Sequence, residues 1–344
     1  MTVSLAEIAR RSNTSPATVS RVLSNRVRVS PDVRRRVLDA VKETGYVPNA
    51  SARALAAKRH AKPGLVHRMI ALAHGMWSQP GAARQQFYEG VLEAAEDRNL
   101  SLTIAPMNEE DLSKGVVPLS LSRVRLDGIL LRPIQGVDHS VLGRVAPVVI
   151  LGAAPTPDCA FSTVEPDNAA SLPPIVDHLV GLGHTWIEFV ARRMDVALYR
   201  ERYAAFLGRA NTLNVRATLA SADHTRLAEY AALFAGQPPE RRPTAIFASS
   251  DLLAIQLIRH LHERGVHVPR DVSVVGCDGH PDGETFLPTI TTAAIPWRDI
   301  GYCAVTRLVE EIEQPGPRTR TLLGGPLAVR ESSGAVPVAA TSPK

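Results

Sequence analysis

Residues 3–56 read VSLAEIARRSNTSPATVSRVLSNRVRVSPDVRRRVLDAVKETGYVPNASARALA, and this stretch decides the fold of the amino-terminal end. Leu5, Ile8 and Ala9 recur at helical spacing and predict a first short helix. Ser12-Asn13-Thr14 supplies turn residues, and Ser15-Pro16 is an N-cap followed by proline at the first helical position. A second helix from Pro16 to about Leu23 then places Val19, Val22 and Leu23 on one face. Ser30-Pro31-Asp32 repeats the cap-and-proline start for a third, in which Val33, Val37, Ala40 and Val41 face inward and Arg34, Arg35 and Arg36 mostly outward.

Two short helices across a tight polar turn, braced by a third, form a helix-turn-helix unit. Such a unit presents the first turn of its second helix to base edges in the major groove. Arg21 is suited to a bidentate guanine contact and Ala17 to a thymine methyl, with Pro16 and Ser20 on the same face. Thr14, Ser15, Thr18 and Ser24 suit phosphates, which set register. A small helical docking module is the alternative reading of the same helices.

Charge follows the same division. Residues 1–60 hold twelve Lys/Arg against Glu7, Asp32, Asp39 and Glu43, a net +8, so the remaining 284 residues sum to −3 within the overall +5. A basic head on a slightly acidic body predicts a polyanionic partner held at one end. The whole chain of 344 residues has room for two or three domains, and its apolar runs fall well short of a membrane helix. No signal-peptide pattern opens it, and Cys159, Cys277 and Cys303 lack zinc or disulfide spacing, so a cytoplasmic protein is expected.

The segments VSLAEIARRSNTSPATVSRVLSN, VSPDVRRRV and GYVPNASARAL closely resemble, in order and spacing, the DNA-binding head of the LacI/GalR family of bacterial repressors. The resemblance implies that residues from Pro48 to Lys58 form a hinge, helical only when two copies meet on DNA, with Asn49 as its cap and Leu55 as a wedge into the minor groove. Ordinary helix packing is the alternative for Leu55. The implied DNA-contacting set is Thr14, Ser15, Pro16, Ala17, Thr18, Ser20, Arg21, Ser24 and Asn25, joined by Asn49, Arg53 and Leu55.

From Met69 onward, apolar runs at 69–74, 101–106, 128–133, 147–152, 187–191, 216–221, 245–249 and 272–278 alternate with helical patterns near 83–98, 168–181, 200–213, 225–235, 251–264 and 298–313. That alternation predicts parallel sheets covered on both faces, and its two groups predict two α/β lobes. The body, through LDGILLRP, PVVILG, HLVGLGH, PTAIFASSDLLA, VPRDVSVVGCD and PTITTAAI, is similar to the family's sensor, a periplasmic-binding-protein fold of type I. The fold class expected is therefore a small all-α helix-turn-helix head followed by two doubly wound parallel-sheet lobes. Its divisions are 1–47 for the head, 48–62 for hinge and linker, 63–335 for the sensor and 336–344 for a disordered tail. Within the sensor, 63–163 plus 293–323 make the first lobe and 164–292 plus 324–335 the second, with interlobe crossings near 163, 292 and 324.

Matching the family's motifs residue by residue assigns cleft roles to Arg202, Asp278, Ser250 and Asp251, and more loosely to Trp77 and His224. Asp251 directly precedes a helix and is equally read as its N-cap. Ala205, Ser250 and Ile295 depart from the family pattern of glycine, asparagine and glutamine. Arg192 and Arg193 replace the usual small residues after a strand and point to an anionic ligand, a solvent-facing pair being the alternative. The effector class expected is a sugar, sugar acid or sugar phosphate.

Catalytic signatures are absent: there is no G-x-S-x-G and no P-loop, and Gly181-Leu182-Gly183 follows a helix. His262-Glu263 with His267 is one residue too long for H-E-x-x-H, and His260, His262 and His267 read as a polar helix end. No enzyme, cofactor or metal is expected. The partners expected are a double-stranded DNA operator, the effector and a second copy in a homodimer through the helices near 83–98 and 251–264, with no membrane. A ligand-binding module whose head docks protein or binds DNA non-specifically is the competing class.

Overall fold

Serine caps start the second and third helices of the head. A computed structural model describes residues 5–24, 29–44, 68–75, 82–107, 109–122, 125–156, 158–192, 194–222 and 225–336. It divides into one unit up to His67 and a second from Arg68. In the first, Leu5–Arg11 (α1), Pro16–Ser24 (α2) and Pro31–Thr44 (α3) are helical. Ser15 Oγ accepts from Thr18 N at 3.1 Å and Ser30 Oγ from Val33 N at 3.4 Å, each serine serving an orphan donor of its helix's first turn. The turn between α1 and α2 needs a left-handed residue and takes it at Asn13, φ 49°. Ile8, Ala9, Val19, Val22, Val37 and Ala40 are buried together, with Val29 and Val41 packed against them. Arg34 and Arg35 face solvent; Arg36 instead lies half-buried and donates to Ser12 O at 3.2 Å, tying α3 to the end of α1.

The second unit is built on two six-stranded sheets. The first comprises Arg68–Gly75 (β1), Leu100–Met107 (β2), Gly128–Arg132 (β3), Val148–Leu151 (β4), Ser162–Pro166 (β5) and, from late in the chain, Arg320–Leu323 (β11), ordered β11-β5-β4-β3-β1-β2 and parallel throughout. The second comprises Trp186–Ala191 (β6), Arg216–Ser221 (β7), Ala245–Ala248 (β8), Ser273–Cys277 (β9), Thr291–Ala293 (β10) and Leu327–Ala328 (β12), ordered β12-β10-β9-β8-β6-β7. Only β12 runs antiparallel to its neighbour. The two windings are the same: β2-β1-β3-β4-β5 in one sheet matches β7-β6-β8-β9-β10 in the other. Every residue of β4, β8 and β9 is buried, as strands covered on both faces require.

Each of the eight apolar runs lies on a strand. The four further strands are short or carry polar residues where an apolar run would betray them: Ser162, Thr163 and Glu165 of β5 and Thr291 and Thr292 of β10 are buried. The chain leaves the first sheet after Pro166, returns after Ala293, and crosses again between Leu323 and Leu327.

The covering helices are Ala82–Asp97 (α4), Glu109–Ser113 (α5), Leu119–Ser122 (α6), Asn168–Ser171 (α7), Pro173–Gly181 (α8), Ala197–Thr212 (α9), Leu227–Gly236 (α10), Asp251–His262 (α11), Asp282–Thr285 (α12) and Trp297–Glu313 (α13). Packing is tightest between α4 and α13. A Cβ on Gly90 would fall 1.8 Å from Arg298 O, and one on Gly301 2.2 Å from Phe87 O. Backbone meets backbone there, and only glycine allows it. In the second lobe, buried His184 bonds to Gly334 O through Nε2 at 3.0 Å and lies 2.9 Å from Thr244 Oγ1, which pins the last described residues to the sheet.

Candidate DNA-reading face and ligand cleft

The first turn of α2 is the exposed edge of the head. Ser15, Pro16, Ala17 and Arg21 face solvent, Thr14 and Thr18 are half-buried, and Val19 and Val22 point into the core. Thr14 Oγ1 lies 2.9 Å from Ser12 Oγ and Thr18 Oγ1 2.9 Å from Ser15 Oγ, so these hydroxyls are already oriented. The acids near this face sit on the flanking helices. Glu7 of α1 accepts from Arg10 at 2.7 Å and Arg11 at 2.8 Å, which hold its carboxyl down at about 2, and Asp32 of α3 is 2.7 Å from Arg35. The sequence of α2 itself, PATVSRVLS, contains no acid. Ser20 and Ser24 belong to α2, although their side chains lie outside the described residues, as do Asn25, Asn49, Arg53 and Leu55 entirely.

In a doubly wound sheet, ligands bind at the carboxyl ends of the strands beside the point where the winding reverses. For the second sheet that point lies between β6 and β8, and the residues that leave these strands and β9 are Arg192, Ser249-Ser250-Asp251 and Asp278. Arg202, from the second turn of α9, is fully buried beneath them. Its Nη1 donates to Ser249 O at 2.6 Å and its Nη2 to Asp278 Oδ1 at 2.5 Å, while Nε has no hydrogen-bond partner. Asp278 keeps 15% of its side chain exposed and adopts φ 122°, a region L-residues rarely occupy. Such backbone strain gathers where a side chain must be aimed at something other than its own fold.

Ser250 and Asp251 have separate structural roles. Ser250, not Asp251, is the N-cap of α11 and accepts from Leu253 N at 3.3 Å. Asp251 is fully buried; Oδ2 accepts from His280 N at 2.6 Å, and a Cβ on Gly276 would fall 2.0 Å from Oδ1. Burial, and then the charge of Asp278, push its carboxyl up to about 7. Asp251 therefore holds the 278–280 turn from beneath. The same turn reaches the other lobe, since Gly279 O accepts from Gln86 Nε2 of α4 at 3.3 Å. Ile295 is buried in the hydrophobic core. Trp77, Arg193 and His224 lie outside the described residues.

Two further polar residues near strand ends or beside Arg202 escape motif matching. Tyr199 precedes Arg202 by one turn of α9, and Arg132 ends β3 as Arg192 follows β6. Burial first and Asp278 second raise the Tyr199 phenol, against the opposing charges of Arg202, Arg192 and Arg132. The strand-end rule that singles out Arg192 also finds Arg132, and i, i+3 spacing from Arg202 finds Tyr199.

Residues 4–49 match the model of the bacterial regulatory proteins of the lacI family, and residues 176–333 match that of a periplasmic binding protein-like domain. The HTH-type transcriptional regulator AscG of Escherichia coli (strain K12) is 30% identical over 90% of this chain and 89% of its own length. The chain belongs to the lacI family of bacterial regulatory proteins. The family resemblance read from the head and sensor motifs thus holds over almost the whole sequence. The ribose operon repressor of Halalkalibacterium halodurans is 28% identical over 96% of both chains. Among solved structures, the Lac repressor dimer bound to operator and the anti-inducer ONPF superposes with a TM-score of 0.79, covering 97% of this chain and all of that one at 23% identity. The CelR–cellobiose complex has a TM-score of 0.65 over 96% of this chain and 99% of that one, at 24% identity. At such identities the two structures speak for the fold: a helix-turn-helix head with two parallel-sheet lobes. Family membership makes the protein a DNA-binding transcription regulator and not an enzyme. No helix among the described residues is long and apolar enough to cross a membrane.

Proposed function

We propose that the protein is a repressor of a carbohydrate or sugar-acid utilisation operon, binding a near-palindromic operator in the cytoplasm as a dimer and responding to a small sugar-type effector in the cleft. The observation that carries the DNA reading is α2 itself, acid-free and exposed at Pro16 and Ala17 of its first turn and at Arg21 further along, while Val19 and Val22 anchor it. A reading helix so placed inserts its amino end into the major groove. The ribose operon repressor among its relatives supports the operon class, and the cellobiose complex supports a sugar-type effector.

A dimer is favoured by apolar side chains that a monomer leaves in water. Leu92 of α4 is 59% exposed and Ile104 of the edge strand β2 62%. In the second lobe Leu287, 77% exposed, follows the short α12, and Phe286 packs on the same buried cluster as Ile255 of α11. These positions fall on or beside both helices named for the interface from sequence. Ligand acts by favouring one arrangement of the lobes, since equal affinity for both shifts nothing.

The test is a binding selection on random duplexes at fixed salt, with wild type, Arg21→Ala and Leu55→Ala. An enriched near-palindrome, weakened by both substitutions, is the expected result. Salt-sensitive binding without enrichment would leave only the phosphate contribution, and the sensor module with a non-specific head would then be the better reading.

A further inference from the structure

Three fully buried residues beneath the cleft each leave a side-chain atom without a hydrogen-bond partner, and the three atoms complement one another: Arg202 Nε, Ser249 Oγ and Asp251 Oδ1. The first can only donate, the last accepts when ionised, and the hydroxyl can do either. The ends of β8 and β9 hold these residues together. Arg202 Nη1 donates to Ser249 O at 2.6 Å and Nη2 to Asp278 Oδ1 at 2.5 Å, so the guanidinium grips both strand ends. Asp251 touches the same two. It follows Ser249 by two residues, a Cβ on Gly276 would lie 2.0 Å from its Oδ1, and its Oδ2 accepts from His280 N at 2.6 Å.

One cation thus stands against two carboxylates. The other titratable side chains around Asp251 are Cys277, whose thiol burial pushes up, and His280, whose ring turns to Asp282 and accepts from its N at 3.0 Å. A buried carboxylate charge is costly unless donors reach its oxygens, and Asp251 Oδ1 has none. Burial, then the charge of Asp278, favour the neutral acid, while Thr292, His280 N and Arg202 favour the anion. We propose that Asp251 is a proton-dependent positioning residue. As the neutral acid it leaves Arg202 to Asp278; as the anion it draws the unpartnered Nε–H of Arg202 to its Oδ1 and competes with Asp278 for the one guanidinium.

The change moves one proton from the Asp251 carboxyl to solvent and exchanges hydrogen bonds around Arg202. Its consequence for function rests on the reading of this cleft as the effector site. Asp278 keeps part of its side chain exposed, and its turn meets the first lobe where Gly279 O accepts from Gln86 Nε2. A proton on Asp251 ties Asp278 to the guanidinium, and loss of that proton frees an oxygen of Asp278 to accept from a ligand. Proton uptake and effector binding are then linked, because each favours a different setting of the same pair.

The test is a titration of the full-length protein by nuclear magnetic resonance between pH 5 and pH 9, with arginine nitrogens and aspartate carboxyl carbons isotopically labelled. The Nε–H of Arg202 and the carboxyl carbon of Asp251 would be assigned by through-bond correlation to their own backbones. Both should move together with one midpoint at about 7. The Arg202 movement should be lost in Asp251→Asn, and in Asp278→Asn, where the repelling charge is gone, the midpoint should shift to lower pH. Melting points would report the folding of each variant separately, and the wild-type comparison stands without them. An Arg202 Nε–H that does not move, that moves with a midpoint different from Asp251, or that moves alike in wild type and Asp251→Asn would overturn the proposal. No ligand enters this titration. The cleft reading fails separately, if D-ribose or cellobiose binds wild type and Asp278→Asn with the same affinity.

Discussion

Arg202 sets the character of the cleft at the scale of single residues. A guanidinium with no solvent exposure is stable only while its acceptors stay in place, and here they are Ser249 O and Asp278. Arg202→Ala should therefore lower the unfolding free energy of the sensor by about 3–5 kcal/mol, the cost of breaking a buried pair by removing one partner. Denaturant unfolding would test this, and a loss under about 0.5 kcal/mol, typical of a surface change, would contradict it. Asp251 makes a different prediction. An unfolded aspartate releases its proton near 4, whereas the native carboxyl holds its own up to about 7. Between those values the native state binds more protons, so stability falls as pH rises. Wild type should lose about 1–3 kcal/mol more than Asp251→Asn between pH 5 and pH 7 in urea unfolding, and parallel pH dependences would refute the assignment. The buried state of Arg202 was not visible in its motif, because burial depends on strands β8 and β9, which close over it from elsewhere in the chain.

Among the elements, the α4–α13 contact shows most plainly what a small residue permits. Gly90 and Gly301 let the two helices approach until a Cβ on either would strike a carbonyl oxygen of the other. Gly301→Ala should force them apart and cost at least about 1–3 kcal/mol, the range for overpacking a filled core, even though alanine is the better helix former. A rise in melting temperature would instead mean that propensity outweighs the clash. In the head the decisive elements are the caps: Ser15→Ala removes the acceptor for Thr18 N and should cost the head about 1 kcal/mol, measurable as a lower melting point of its own transition. These elements were legible early, since Ser-Pro pairs announce helix starts and apolar runs announce buried strands. Strands β5 and β10 were not, because polar side chains buried in them bond to distant segments, such as Ser162 Oγ accepting from Thr319 N at 2.9 Å and Thr291 Oγ1 donating to Arg330 O at 3.0 Å.

For the whole molecule, the proposed function depends on two copies acting together. Leu92→Glu with Leu287→Asp should shift sedimentation from dimer to monomer and abolish tight operator binding, because each head alone reaches only a half-site. A variant that remains dimeric would place the interface elsewhere. Arg21→Ala should cost about 1–3 kcal/mol in operator affinity and relax preference at one base pair while leaving the salt dependence nearly unchanged. Loss of affinity on all sequences alike would mark Arg21 as a phosphate contact.

The sequence by itself determined the family, the three-helix head with the serine caps of its second and third helices, and the alternation that builds two parallel sheets. These are local or periodic properties, written in neighbouring residues and in spacings of two, three or four. Tertiary structure alone decided that Ser250 caps α11 while Asp251 is buried, that Arg36 ties two helices together, and that Arg202 lies buried against Ser249 O and Asp278. Each of these depends on residues far apart in the chain whose meeting is fixed by how the sheets wind and pack, and no local pattern carries that information.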